Sequence, residues 1–270
     1  MPLFRTESRL CAALLLVSII ASAFRPVNSD KGKMRLRGIS TAASKTVISY
    51  NADKSIAALL TIDQTTESGY TATRIPVYKD GRLIRVFVTD EESSQAPVLF
   101  SSFEYSDKGR IRRIIYYLEG AVHGYDSLAY NANGQISARY FFNDTQDGIA
   151  FENNNCQLYT WNNKGNIITI ENMGRVNRKL PFMLSSTTTY TYDDHPNAQH
   201  SIPSLCYLTD IAAENMSANN IITETITPAT GDNSIVKHYS YEYNADRYPA
   251  RITARYAVDD EMMVTDLEWD

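Results

Sequence analysis

Apolar and polar positions alternate over short runs that end in polar turns, and one phrase recurs along the chain. In "YSYEYNADRYPARITARY", Tyr239, Tyr241 and Tyr243 fall on one side of an extended segment and Ser240 and Glu242 on the other. This is the period of two of a strand with one buried face. Related phrases begin at Ile48 (ISYNADKSIAAL), Pro76 (PVYKDGRLIRV), Phe103 (FEYSDKGRIRRI), Leu128 (LAYNANGQISAR), Tyr159 (YTWNNKGNIITI) and, degraded, Thr189 (TYTYDDHPNA). Their aromatic positions, Tyr50, Tyr78, Tyr105, Tyr130, Trp161, Tyr192 and Tyr243, stand 28, 27, 25, 31, 31 and 51 residues apart. A spacing this regular predicts repeated supersecondary units, with room for one more in the last gap.

Each unit reads as a β-hairpin. After the aromatic come polar turn formers and then, in four units, Gly81, Gly109, Gly134 or Gly165. That order fits a type I turn closed by a residue of positive φ, which glycine adopts without a Cβ penalty. Lys54 and Arg247 stand where the glycine belongs, so those turns are expected to be strained or differently shaped. The outgoing arm carries apolar residues three apart, Ile56 and Leu59, Leu83 and Val86, Ile111 and Ile114, Ile167 and Ile170, while Ile136 is followed by Arg139 and Pro249 precedes Ile252. Strict alternation sends such a pair to opposite faces. Either the first packs beneath the turn or a bulge resets the parity.

In series, the hairpins predict an all-β antiparallel meander of about 14–16 strands, and open sheets that long curl or close, so the wall is expected to be curved or barrel-like. The pattern changes after Pro203, where "YLTDIAAENMSANN" predicts one short helix near 209–217, N-capped by Thr209 or Asp210 and placed to plug or cap one end of the sheet. The closing "DDEMMVTDLEWD" reads as a last strand whose acidic side discourages edge pairing.

The 270 residues are 43% hydrophobic and 21% charged, a globular composition. Residues 1–23 combine a charged start, the apolar run Leu10–Ile20 and an Ala21-Ser22-Ala23 box, the marks of a secretory signal peptide. Residues 24–45 read as a flexible basic leader and 46–270 as one domain. Cleavage near Ala23 implies export, to the periplasm or the cell surface. A net charge of −5 argues against a nucleic-acid partner. Cys156 and Cys206 lie in a compartment that permits disulfides, and spacing alone leaves a bridge and two free thiols both open.

Chemistry is sparse. His195 and His200 share a loop with Asp193 and Asp194, but their spacing matches no zinc motif, so a solvated turn is the expectation. No nucleophile elbow or phosphate-cradling glycine loop occurs. Glu104 with Glu119, and Glu242 with Glu152, could in principle pair as a carboxylate-dependent hydrolase needs, but nothing in the spacing singles out one pair, and isolated acids on hairpins usually form the solvated face. The reading is of no catalytic residue, cofactor or metal.

The phrases "YEYNADRYPARITA", "FEYSDKGRIRRI" and "YNANGQISAR" resemble the YD-type repeats of secreted bacterial proteins. Residues 46–256, ending in "ANNIITETIT" and "YSYEYNADRYPARIT", are similar to a Bacteroidetes exported family described as a domain of unknown function with a porin-like fold. The resemblance implies a curved or barrel-like sheet and carries no known activity. The expected role is an exported, non-catalytic binding or structural module for an unknown ligand, a glycan, peptide or lipid, with Tyr105, Tyr130, Trp161 and Tyr192 as the ligand-stacking rings in one concavity. A true outer-membrane barrel is the alternative, and a hydrolase with paired carboxylates the second.

Overall fold

The computed structural model describes residues 34–65, 69–90, 96–145, 150–202, 204–257 and 261–270. The expected signal peptide, residues 1–23, and residues 24–33 of the expected leader lie outside them. The unit Leu36–Asp270 is a closed barrel in which each strand pairs antiparallel with its neighbour in sequence, and the first strand pairs with the last. The strands are β1 (Leu36–Ser40), β2 (Ser44–Tyr50), β3 (Ile56–Asp63), β4 (Tyr70–Lys79), β5 (Arg82–Asp90), β6 (Val98–Tyr105), β7 (Ile111–Leu118) and β8 (Ala121–Tyr130). They continue as β9 (Ile136–Asp144), β10 (Phe151–Trp161), β11 (Ile167–Gly174), β12 (Met183–Pro196), β13 (Asn219–Pro228), β14 (Ile235–Tyr243), β15 (Pro249–Tyr256) and β16 (Met262–Trp269).

The wall therefore begins before residue 46. Leu36–Ser40 and Ser44–Lys45, assigned to a leader from composition, pair with β16 and β3. The acidic side of β16 likewise meets no free edge, because closure removes edges altogether. Its carboxylates face cations instead, in Lys45–Glu268 at 3.4 Å and Arg251–Asp266 at 2.6 Å.

One device repeats around the wall. Tyr50 pairs with Ile56 and Ser49 with Ala58, so Ala57 is an extra residue and Ile56 and Leu59 land on the same face. The same bulge recurs at Ile84, Arg112, Ser137, Ile168, Ile222, Ala250 and Arg37. The bulge, and not packing beneath the turn, explains the apolar pairs three apart.

Each bulge also ends the ladder to the next hairpin early and leaves a carbonyl without a strand partner. An aromatic side chain takes it up, as the need to satisfy buried backbone groups requires. Tyr50 donates to Leu36 O, Tyr105 to Leu83 O, Tyr130 to Ile111 O, Trp161 to Ile136 O, Tyr241 to Ile221 O and Trp269 to Pro249 O, all at 2.6–2.8 Å. Tyr192 donates to Ile167 O in the same way. The eighth unit is thus built from the two ends of the barrel, Trp269 and Leu36, and not from the gap between Tyr192 and Tyr243.

The turns beside this girdle share one geometry. Asn51, Ser106, Asn131, Asn162 and Asn244 open them, and the fourth residue is left-handed: Lys54 (φ 74°), Gly109 (φ 73°), Gly134 (φ 84°), Gly165 (φ 84°) and Arg247 (φ 66°). Lys54 and Arg247 adopt the glycine conformation and carry its strain. Gly81 differs, since Asp80 and Gly81 both have positive φ in a two-residue turn, the arrangement that matches strand twist.

The lumen at the girdle end is apolar. Ile48, Leu59, Val86, Phe103, Ile114 and Ile170 are buried there with Leu205, Leu208 and Ile211 of an insertion between β12 and β13. This insertion is the plug. It contains two helical turns, α1 (Leu205–Leu208) and α2 (Ala213–Met216), where one helix near 209–217 was expected. Neither Thr209 nor Asp210 is an N-cap: Thr209 ends α1 and donates to Leu205 O, and Asp210 turns to Arg139. The outward face is mixed. Ile75, Phe87, Ile115 and Phe142 mark one sector, and threonine pairs on β11–β13, such as Thr189 with Thr225, mark another. Among the described residues no helix is long and apolar enough to cross a membrane.

Candidate functional site

Short polar side chains tie the plug to itself and to the neighbouring wall. Asn197 donates to Glu214 O and Ser217 O at 2.7 and 2.8 Å. Asn166 and Asn219 exchange reciprocal hydrogen bonds at 2.9 and 3.0 Å, and Ser217 accepts from Ile167 N–H. Deeper in the lumen, Arg139 bridges Asp126 of the wall at 2.8 Å and Asp210 of the plug at 2.9 Å, and Tyr159 donates to Ile211 O. The position that breaks the apolar spacing on β9 is therefore the cation that holds the plug. Tyr116 donates to Asp126 at 2.7 Å, and burial nevertheless raises the Asp126 pKa, with Arg139 opposing.

The loop of Asp193, Asp194, His195 and His200 is not a solvated turn. Asp193 accepts from the backbone of His195 and Asn220, the Asn220 amide and the Tyr243 hydroxyl. The His195 ring stacks on Tyr243 at 3.9 Å. This hub ties the start of the plug to β13 and β14, while His200 lies apart, beside Trp161 and Lys164 in a separate cleft. Among the described residues no cluster of three or more His, Cys, Asp or Glu is placed to hold a metal ion.

Between the plug and the turns of β8–β9 and β10–β11 lies a cleft of about 470 Å³, within the size range of small-ligand sites. Tyr130 and Trp161 line it, with Lys164, His200, Cys206 and Tyr207. Two of the four rings singled out from the sequence thus share one concavity. Tyr105 lies outside it, with Arg82 above its ring at 5.3 Å, and Tyr192 is turned to Ser217 and Ile167. All four occupy one repeat position; what separates them is which hairpins the plug leaves uncovered.

The cleft offers contact surface and hydrogen-bond donors more than reactive groups. Trp161 Nε1–H and the Tyr130 hydroxyl are committed to wall carbonyls, so both contribute ring faces. Burial pushes the Cys206 thiol up to about 12, which keeps it protonated and unreactive. Cys206 stands in the plug within the lumen, whereas the β10 pairing turns Cys156 outward, and both are free thiols. The acid pairs considered from sequence are separated as well. Glu104 and Glu242 sit at the girdle end, and Glu119 and Glu152 at the opposite end of the wall.

No family model and no curated protein matches the chain. Solved structures do match, two porin-like proteins among them. A porin-like protein from Bacteroides uniformis is 12% identical with a TM-score of 0.55, over 88% of this chain and 96% of that one. A porin-like protein from Bacteroides vulgatus is 12% identical with a TM-score of 0.55, over 88% and 99%. The fold is porin-like. At this identity the likeness speaks for the fold, and function has to be argued from the side chains.

Proposed function

We propose that the protein is an exported, non-catalytic binding module acting in the periplasm or at the cell surface, with the cleft at Tyr130 and Trp161 as its ligand site. The observation that carries this reading is the plugged mouth: the insertion fills the apolar lumen and leaves an aromatic-walled opening of ligand size beside it. An outer-membrane barrel inverts this arrangement, with a polar lumen and an apolar outer band. Here apolar side chains and the plug fill the girdle end of the lumen, and ion pairs such as Glu104–Arg113 stand on the outer face. Recovery of the folded protein from a cell extract without detergent supports the soluble reading, and recovery only from the detergent-extracted membrane fraction overturns it.

The chain has two tryptophans, Trp161 and Trp269, which makes binding directly readable. In a Trp269→Phe variant the emission comes from Trp161 alone. A library of glycans, peptides and lipids is expected to contain ligands that shift it. Ligands that bind without moving the Trp161 signal place the site elsewhere.

A further inference from the structure

We propose that the ligand of this cleft is an acidic saccharide, its ring lying on Trp161 and its carboxylate met by Lys164 and Arg110. The inference rests on the reading that the cleft binds a ligand, and it adds the ligand's charge and class.

Lys164 is exposed at the tip of the β10–β11 turn and lines the cleft. Among the described residues no carboxylate lies within ion-pair distance of it, and the described lining includes neither Asp nor Glu. A second cation, Arg110, stands just outside the lining and rests against two of its residues, Tyr130 and Gly134. The Arg110 guanidinium lies 5.4 Å from the centroid of the Tyr130 ring. It also rests against Gly134, where an added Cβ would come within 2.6 Å of Nη2. Gly134 thus serves twice: it takes the positive φ of the turn and makes room for the guanidinium. No described carboxylate pairs with Arg110 either. The overall charge of −5 makes this uncompensated positive edge a local feature and not a general property of the surface.

The remaining lining suits a sugar. A pyranose presents an apolar C–H face and a rim of hydroxyls. Trp161 contributes ring face with its N–H already committed. Gln135 accepts from Asn131 through Oε1, which leaves its NH₂ to donate, and His200 and Ser204 add further polar groups at the rim. A carboxylate on the ring can take two parallel bonds from the Arg110 fork, and Lys164 adds a point charge.

The test titrates the Trp269→Phe protein with trigalacturonate, its methyl ester and maltotriose. Trigalacturonate is expected to shift Trp161 emission and to bind about tenfold or more tightly than the ester, a difference that Lys164→Glu abolishes. Rising ionic strength is expected to weaken the acid and leave the ester unaffected. Lys164 is exposed, so its variant retains the fold, checked by an unchanged melting curve. Equal responses to all three sugars overturn the acidic assignment while the cleft remains a binding site. A response to none overturns the saccharide assignment, and the broader library with the same reporter then decides separately whether the cleft binds at all.

Discussion

The Tyr105 hydroxyl donates to the carbonyl of Leu83, 22 residues earlier, at 2.8 Å. Leu83 is in turn the strand partner of Tyr78, so each hairpin is fastened to the one before it at the level where the bulge has interrupted the ladder. Tyr78 is the exception. The ladder between β3 and β4 ends at Leu59 and Arg74, and the Tyr78 hydroxyl approaches the Ile56 backbone without reaching hydrogen-bond geometry. Burial pushes its pKa up to about 12.

That contrast predicts unequal effects for one chemical change. Tyr130→Phe removes a well-formed bond to Ile111 O and is expected to cost about 1 kcal/mol, whereas Tyr78→Phe removes a hydroxyl that only approaches the Ile56 backbone and is expected to cost little. Urea denaturation of both variants measures the difference; equal losses would contradict the girdle's role.

Lys54 and Arg247 hold the left-handed position that Gly109, Gly134 and Gly165 hold elsewhere. The conformation costs a residue with a Cβ roughly 1–2 kcal/mol, partly offset by glycine's greater entropy loss on folding. Lys54→Gly and Arg247→Gly are each expected to stabilise by up to about 1 kcal/mol. The 3.9 Å approach of Arg247 to Asp194 is exposed on both sides and worth little. A rise in the chemical denaturation midpoint checks this, and a fall in both would show that the turns are not strained.

The hairpins and their turns were legible because each leaves a local mark, an aromatic and a glycine, while two apolar residues three apart left the bulge as one of two readings. Closure was not legible, since Trp269 and Leu36 come from opposite ends of the barrel and neither carries a sign of the other. The Asp193 hub was hidden for the same reason. A short acidic cluster looks solvated until the fold brings Tyr243 and Asn220 to it. Arg139 looked like a lapse in the repeat, and only the arrival of Asp210 from the plug gives it a task. Tyr105 and Trp161 are equivalent in the repeat; the path of the plug between them is a tertiary property.

The Arg139 bridge predicts a large loss when only one partner goes. Arg139→Met leaves Asp126, whose side chain is 4% exposed, as an unpaired buried carboxylate, at a cost of about 3–5 kcal/mol. Arg139→Met with Asp126→Asn is expected to recover much of that stability. Urea denaturation of the single and double variants tests it, and a single variant within error of the parent would remove the bridge from the account.

Glu214, on the plug, supplies the pH dependence. Partial desolvation raises its carboxyl pKa first, the Glu224 carboxylate adds to the rise, Lys237 opposes it and Asp210 contributes a smaller push upward. Tyr239, from β14, donates to Glu224 at 2.8 Å and so leaves that charge in place beside the plug. A carboxyl raised on folding binds its proton more tightly in the folded state. Its contribution is therefore most favourable below the unfolded pKa of about 4.3 and is lost as pH rises through the folded value. Glu214→Gln is expected to match the parent in acid and to melt higher at neutral pH, while Lys237→Met melts lower there. The side chain is solvent-accessible, which softens the effect without changing its sign. Melting temperatures of the three proteins from about pH 4 to about pH 8 decide the matter: curves for parent and Glu214→Gln that stay parallel across that range would show that the plug is indifferent to this carboxyl.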